Sequence, residues 1–305
     1  MKTYGKRFGF MNNPAVAAEI ASLDAKKDCQ RITHLLTAYE FSWDITRSLE
    51  VALFYTYGSN SVANLLDKTG EFESHGQKRY DDTRLLIAHF MDTGWEHGEG
   101  ARALERMNKT HANYRIPQDD FHFVLWTFIE FPIKWMASYA RRAMTAHEQL
   151  AWFNFWIGVG GRMGLTNLPA TKAEFDASVD AYCQQHMVPN PASTRVAAAT
   201  VRIMENWLPK PLRGLVSPSV YGLMDDDRFI AAVSQQRPSK AFAAMVRTNL
   251  KLLGKVRKVW AIGAYPQSVK STLNRTYPGN QYEIEQLQPV HLQRHEARAV
   301  DNAVD

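Results

Sequence analysis

The stretch RALERMNKTHANYRIPQDDFHFVLWTFIEFPI, Arg102 to Ile133, decides how the chain is read. Between Gly100 and Pro117 it contains neither glycine nor proline, and alanine, leucine, glutamate, arginine and methionine favour helix. The spacing therefore predicts a helix from about Ala101 to Tyr114. Pro117 interrupts it. Asp119 or Asp120 is suited to N-cap a second helix starting at Phe121, because a short carboxylate accepts from the orphan N–H groups of a first turn. Along that helix His122, Leu125, Trp126, Ile129 and Ile133 form one stripe, and Pro132 within it predicts a kink or an end. On the first helix, at about 100° per residue, Arg106, Lys109 and Thr110 share one face. Leu104, Met107 and His111 share another, more than a quarter-turn away, so the two sets are expected to look into different places. The ordinary reading makes Arg106 and Lys109 a solvated face, and His111 and His122 hydrogen-bonded core histidines.

Upstream, Pro14 to Leu23 and Gln30 to Tyr39 have helical patterning, with Ile32, Leu35, Leu36 and Tyr39 on one buried face. Ile45 to Tyr57 follows, with Gly58 placed to end it as a C-cap. Arg79, Asp82 and Thr83 read as the first turn of a helix through Met91, where the helix dipole favours carboxylates. Downstream, Thr145-x-x-Glu148 and Thr171-x-x-Glu174 are capping boxes. The first opens an aromatic helix over Leu150 to Val159, the second a helix to about Met187. Gly158, Gly160, Gly161 and Gly164 follow a helix, not a strand, so they close a helix and permit tight packing and are no dinucleotide loop. Ser193 to Trp207 is helical, Asp225 to Asp227 is a solvated loop or helix start, and Pro238-Ser239 opens a last long helix through about Leu253. Lys251, Lys255, Arg257 and Lys258 form a basic patch, read as a solvated face with contact to an anionic membrane surface as the alternative. Beyond Gln286 the chain is polar and aperiodic, which predicts a loose tail.

Composition limits the function. The chain has 305 residues, 45% of them hydrophobic, enough for a sizeable core. Its 36 basic and 31 acidic residues give a net charge of +5, too mild and too dispersed to argue for nucleic acid. Cys29 and Cys183 form no CxxC, and such sparse usage suits a reducing compartment. Asn12, Asn13 and Pro14 interrupt the N-terminal region before any signal-peptide core develops, and Phe121 to Tyr139 carries too many polar residues to span a bilayer. These features predict a cytoplasmic protein without a transmembrane segment. There is no HExxH, Walker A, GxSxG or Glu-x-x-His pair, and His291 with His295 lacks a third ligand and is read as solvated.

Arg106-x-x-Lys109-Thr110-His111, a short polar loop, and Asp120-Phe-His-Phe-Val-Leu-Trp-Thr-Phe128 resemble the core motif of the rubber oxygenase (latex clearing protein) and MpaB oxygenase catalytic-domain family. Arg47 with Phe54 to Gly58, Arg79 to Thr83, Thr145 to Glu148, Gly158 to Gly164, Leu168 to Glu174 and Leu208 to Arg213 extend the likeness over residues 40 to 260. The resemblance implies an all-α, single globin-like domain at 41–262, with a helical extension over 1–40 and a partly disordered one over 263–305. It also implies haem b, and O2-dependent cleavage of C=C bonds in an apolar, isoprenoid-like small molecule. Arg106, Lys109 and Thr110 match the polar haem-side residues, Lys109 a lysine that can take the distal iron position. Arg47 matches a core-side arginine that pairs an acid or a haem propionate. The proximal ligand position, beside Trp126-Thr127, falls on Leu125. Leucine cannot coordinate iron, so His122, one turn earlier, and His111 are the candidate ligands, and the Phe121 to Trp135 helix with Trp152, Phe153 and Trp156 is the expected pocket wall. The alternative is a haem-free helical protein that binds an apolar ligand and anchors its polar head on the Arg106, Lys109 and Thr110 face.

Overall fold

The computed structural model of the chain describes residues 3, 4, 13–260, 266–269, 272 and 274–294, and among them there is no strand. The helices are α1 (Pro14–Ser22), α2 (Cys29–Leu35, continued by a π turn Leu36–Glu40), α3 (Ser42–Thr56), α4 (Asn60–Thr69), α5 (Glu71–Thr93), α6 (Gly98–His111) and α7 (Gln118–Tyr139). After them come α8 (Ala146–Arg162), α9 (Lys172–His186), α10 (Pro191–Glu205), α11 (Val216–Leu223), α12 (Asp227–Ala232) and α13 (Lys240–Val259). The protein is all-α, as expected. Helix α3 lies along α7, α5 along α6, and α2 along α8. Trp152, Trp156, Phe90, Phe123, Phe155 and Phe175 are fully buried between these layers, each contributing about 1.5–3 kcal/mol of apolar transfer energy.

Both capping boxes form, at Thr145 with Glu148 and at Thr171 with Glu174. Four local readings change. Gly58 is no left-handed C-cap; a Cβ there would meet the Phe229 ring at 2.8 Å, so glycine permits close packing instead. Helix α4 has no counterpart in the sequence reading. Helix α5 starts at Glu71, so Arg79 and Asp82 lie mid-helix, and Asp82 is buried against Lys78 (2.6 Å) and Tyr277 (2.6 Å) rather than capping a first turn. Finally, of the two outcomes expected at Pro132 the helix end does not occur: α7 runs seven residues further. Proline lacks the N–H that would bond the Phe128 carbonyl, and the Trp152 indole N–H donates to that carbonyl instead, at 3.0 Å.

Helix α13 closes over α3 and α7. Its Arg257 is buried and held by Asp44 (3.1 Å), which also accepts from the Trp135 indole (3.0 Å). Arg257 therefore leaves the predicted basic patch, in which Lys251, Lys255 and Lys258 are exposed. The expected loose tail is packed on the body as far as residue 294: Leu287 and Gln288 are buried, and the half-exposed His291 bonds Glu71 (2.7 Å). His295 lies outside the described residues. No helix among the described residues is long and apolar enough to cross a membrane.

Candidate active site

A cavity of about 220 Å³ opens between α6 and α7, floored by α8 and walled by α3, α5 and α10. It exceeds the roughly 150 Å³ that admits a benzene ring in an apolar core. Two matched helix faces make it. Met107, Thr110 and His111, with Tyr114 just beyond, follow the i, i+3, i+4, i+7 spacing on α6, and Phe121, Val124, Leu125 and Phe128 repeat it on α7. The expectation that Thr110 and His111 look in different directions is overturned. Adjacent residues differ by about 100°, and a cavity this wide takes in both.

That periodicity also settles where the other singled-out residues go. Arg106 is a quarter-turn off the cavity face; it is buried and donates to the Gln288 side chain of the C-terminal segment. Lys109 points away from the cavity, 64% exposed, and pairs with Glu105 at 2.8 Å. Of the expected Arg106, Lys109 and Thr110 ridge, only Thr110 lines the cavity. On α7, His122 and Trp126 lie off the cavity stripe: the His122 ring packs edge-on to Phe175 at 6.4 Å, and the Trp126 indole donates to Asp176 at 2.7 Å. Leu125 lines the cavity. Trp156 does so too, whereas Trp152 and Phe153 serve the core. Arg47 sits behind the wall, bound to Glu50 at 2.7 Å.

Three cavity-lining residues carry polar atoms that are buried without a hydrogen-bond partner: Thr110 Oγ1, His111 Nδ1 and Trp156 Nε1. Left unmade, such bonds cost about 1–3 kcal/mol each. His111 packs its ring against Phe121 at 5.2 Å, and burial, with the Arg79 charge adding to it, pulls its pKa down to about 4. It is a neutral imidazole at pH 7, the form that offers a lone pair to a metal. Among the described residues there is no cluster of three or more histidine, cysteine or carboxylate side chains that could hold a metal ion.

The cavity also holds charges that the sequence reading did not place there. Glu50, its pKa raised by burial against the opposing pull of Arg47, accepts from the Tyr80 hydroxyl. Asp120 accepts from Ser61 (2.6 Å) and Tyr182 (2.6 Å). Arg79 lines the wall and donates to Thr83 (2.9 Å). The missed signal was a stripe: Arg79, Thr83, Ile87 and Phe90 recur at i, i+4, i+8 and i+11, placing an arginine and a threonine at the head of an apolar face of α5.

Residues 54–282 match the family model described as "ER-bound oxygenase mpaB/B'/Rubber oxygenase, catalytic domain". The chain is similar to the protein described as ER-bound oxygenase mpaB' of Penicillium brevicompactum, 27% identical over 69% of this chain and 54% of the relative. It is likewise similar to the proteins described as ER-bound oxygenase mpaB of Penicillium roqueforti (strain FM164), 26% identical over 61% of this chain and 69% of the relative, and of Penicillium brevicompactum, 28% over 57% and 50%. The chain thus spans about half the length of two of these relatives.

Proposed function

The chain belongs to the family of ER-bound oxygenase mpaB/B' and rubber oxygenase catalytic domains, and from that premise we propose that it is a haem-dependent oxygenase acting on an apolar, isoprenoid-like small molecule. One observation carries the reading: a neutral His111 imidazole with an unpartnered Nδ1 on the wall of an apolar cavity. If haem b binds, the His111 imidazole would hold its iron, and Phe121, Val124, Leu125, Phe128 and Trp156 would supply the apolar wall beside it. Bound haem would supply the redox chemistry that activates O2.

The protein's own share is placement. His111 stays neutral because burial disfavours its charged form. The Thr110 hydroxyl and the Trp156 indole N–H are the donors left to orient O2 or a nascent carbonyl oxygen. The aromatic walls hold an alkene chain and exclude water, and Pro289 of the C-terminal segment helps close them. Cleavage of a C=C bond by one O2 places one oxygen atom on each carbon, giving two carbonyls with no outside reductant. Lys109, exposed and paired with Glu105, has no part in the proposal. A cytoplasmic site of action belongs to it; the ER-bound description is that of the relatives.

The test is turnover. Haem-supplied protein incubated with an isoprenoid alkene under 18O2 should release two carbonyl fragments, each carrying one labelled oxygen, one O2 being consumed per alkene. Absence of haem, iron and O2 uptake in every preparation would instead leave a haem-free carrier for an apolar ligand.

A further inference from the structure

Arg79 makes no ion pair among the described residues. Among the described residues no carboxylate lies within ion-pair distance of it, and its hydrogen bond goes to the neutral Thr83. Nearby arginines are matched: Arg47 to Glu50 (2.7 Å), Arg84 to Asp81 (3.7 Å) and Arg102 to Glu285 (2.7 Å). The cavity carboxylates are committed elsewhere as well. Glu50 serves Arg47 and Tyr80. Glu71 accepts from the His291 ring (2.7 Å) and from the backbone N–H groups of Val290 and His291. Asp120 serves Ser61 and Tyr182. The Arg79 charge acts on Tyr57, His111 and Tyr114, which all line the same cavity, and on the Asp82 carboxylate, which is bonded to Lys78 and Tyr277 and makes no ion pair with Arg79.

A guanidinium stays protonated at any working pH, so the half-buried Arg79 keeps a positive charge on the cavity wall. What is missing is an anion, and the size of that anion is limited. One unmatched cation among three internally satisfied carboxylates suits a single negative charge; a phosphate or diphosphate would bring charge that nothing on the wall neutralises. The planar fork of arginine fits a carboxylate with two parallel N–H donors. The buried Thr110 hydroxyl, with no partner in the chain, lies on the same cavity and supplies a further donor.

We propose that Arg79, with the Thr110 hydroxyl, is the recognition site for a carboxylate at the end of an apolar ligand. It rests on the reading above only in placing that ligand in the same cavity. Two ligands carry this chemistry, an acid-terminated isoprenoid substrate or product and a porphyrin propionate, and the test has an arm for each. With haem-free full-length protein, tryptophan quenching is read on titration with farnesoic acid against farnesol, and separately with protoporphyrin IX against its dimethyl ester.

The wild type should prefer the acid of at least one pair by roughly tenfold or more, the effect of one charge-assisted hydrogen bond. R79Q should erase the preference while leaving farnesol or diester affinity within about twofold of wild type, and R79K should keep part of it. A preference in the first pair only assigns an acid ligand, and in the second only a propionate. Circular dichroism checks the fold; if R79Q does not fold, the wild-type ratios and R79K decide. Equal affinity within both pairs, no binding of either acid, or a preference that survives in R79Q overturns the proposal. Because no haem or turnover enters the farnesoic acid arm, loss of the oxygenase reading would leave its result standing.

Discussion

On α6, Arg102, Arg106 and Lys109 point toward the C-terminal segment or solvent, and the chain itself answers them with Glu285, Gln288 and Glu105. On the neighbouring face of the same helix, Thr110 and His111 carry polar atoms that nothing in the chain answers. The residue types are comparable, and the difference lies in what they face. Arg102 and Arg106 fix the segment 283–288 onto the body by pairing, whereas Thr110 and His111 line a void. Polar groups that are buried and satisfied hold the structure together, whereas polar groups buried and unsatisfied at a cavity are available to a ligand.

This contrast is sharpened most by breaking the satisfied side. Glu71 accepts three hydrogen bonds from residues 290 and 291, from the His291 ring and the Val290 and His291 backbone N–H groups, with His75 at 3.5 Å on its other flank. Glu71→Ala should cost about 2–3 kcal/mol of stability and abolish hydrogen-exchange protection over residues 286–294, leaving α7 and α8 protected. The same contact should respond to acid. Burial alone would raise the Glu71 pKa, but the His291 ring and the backbone donors outweigh it and hold it below its ordinary 4.5. Its contribution is therefore complete above pH 4.5 and is lost as pH falls through the lower folded value. Segment protection should fall in that acid window, and in Glu71→Ala it should show no such step.

On the unsatisfied side the sign reverses. Thr110→Val removes a hydroxyl with no partner while keeping its shape, so the haem-free protein should be unchanged or more stable by up to about 1 kcal/mol. A clear drop in the thermal midpoint would show that the hydroxyl is used within the fold. Smallest of all, Lys109→Ala removes an exposed pair and should shift stability by about 0.5 kcal/mol or less and leave haem retention unchanged.

Much of the fold was readable because its signals are local. Capping boxes act across three residues, so Thr145 with Glu148 and Thr171 with Glu174 announced α8 and α9. Helix α4 carried such signals as well, an N-capping Ser59 and a left-handed Gly70, but they went unread. What the sequence could not display were partners distant along the chain. Trp152, twenty-four residues from Phe128, lets α7 continue through Pro132. Arg106 and Gln288 lie 182 positions apart, so the tail looked loose although polar pairing holds it. The candidate site was legible to the level of the two helices. Assignment of the cavity face required knowing where the void lies, which moved the weight from Arg106 and Lys109 to Thr110, His111 and Arg79.

The measurement that bears most directly on the account is the visible spectrum of haem-supplied protein, compared between His111→Ala and His122→Ala. Wild type and His122→Ala should show a Soret band with stoichiometric iron, and His111→Ala should lose both while remaining folded. A band that survives in His111→Ala, or disappears in His122→Ala instead, would contradict the proposal that His111 is the residue that would hold haem in this cavity.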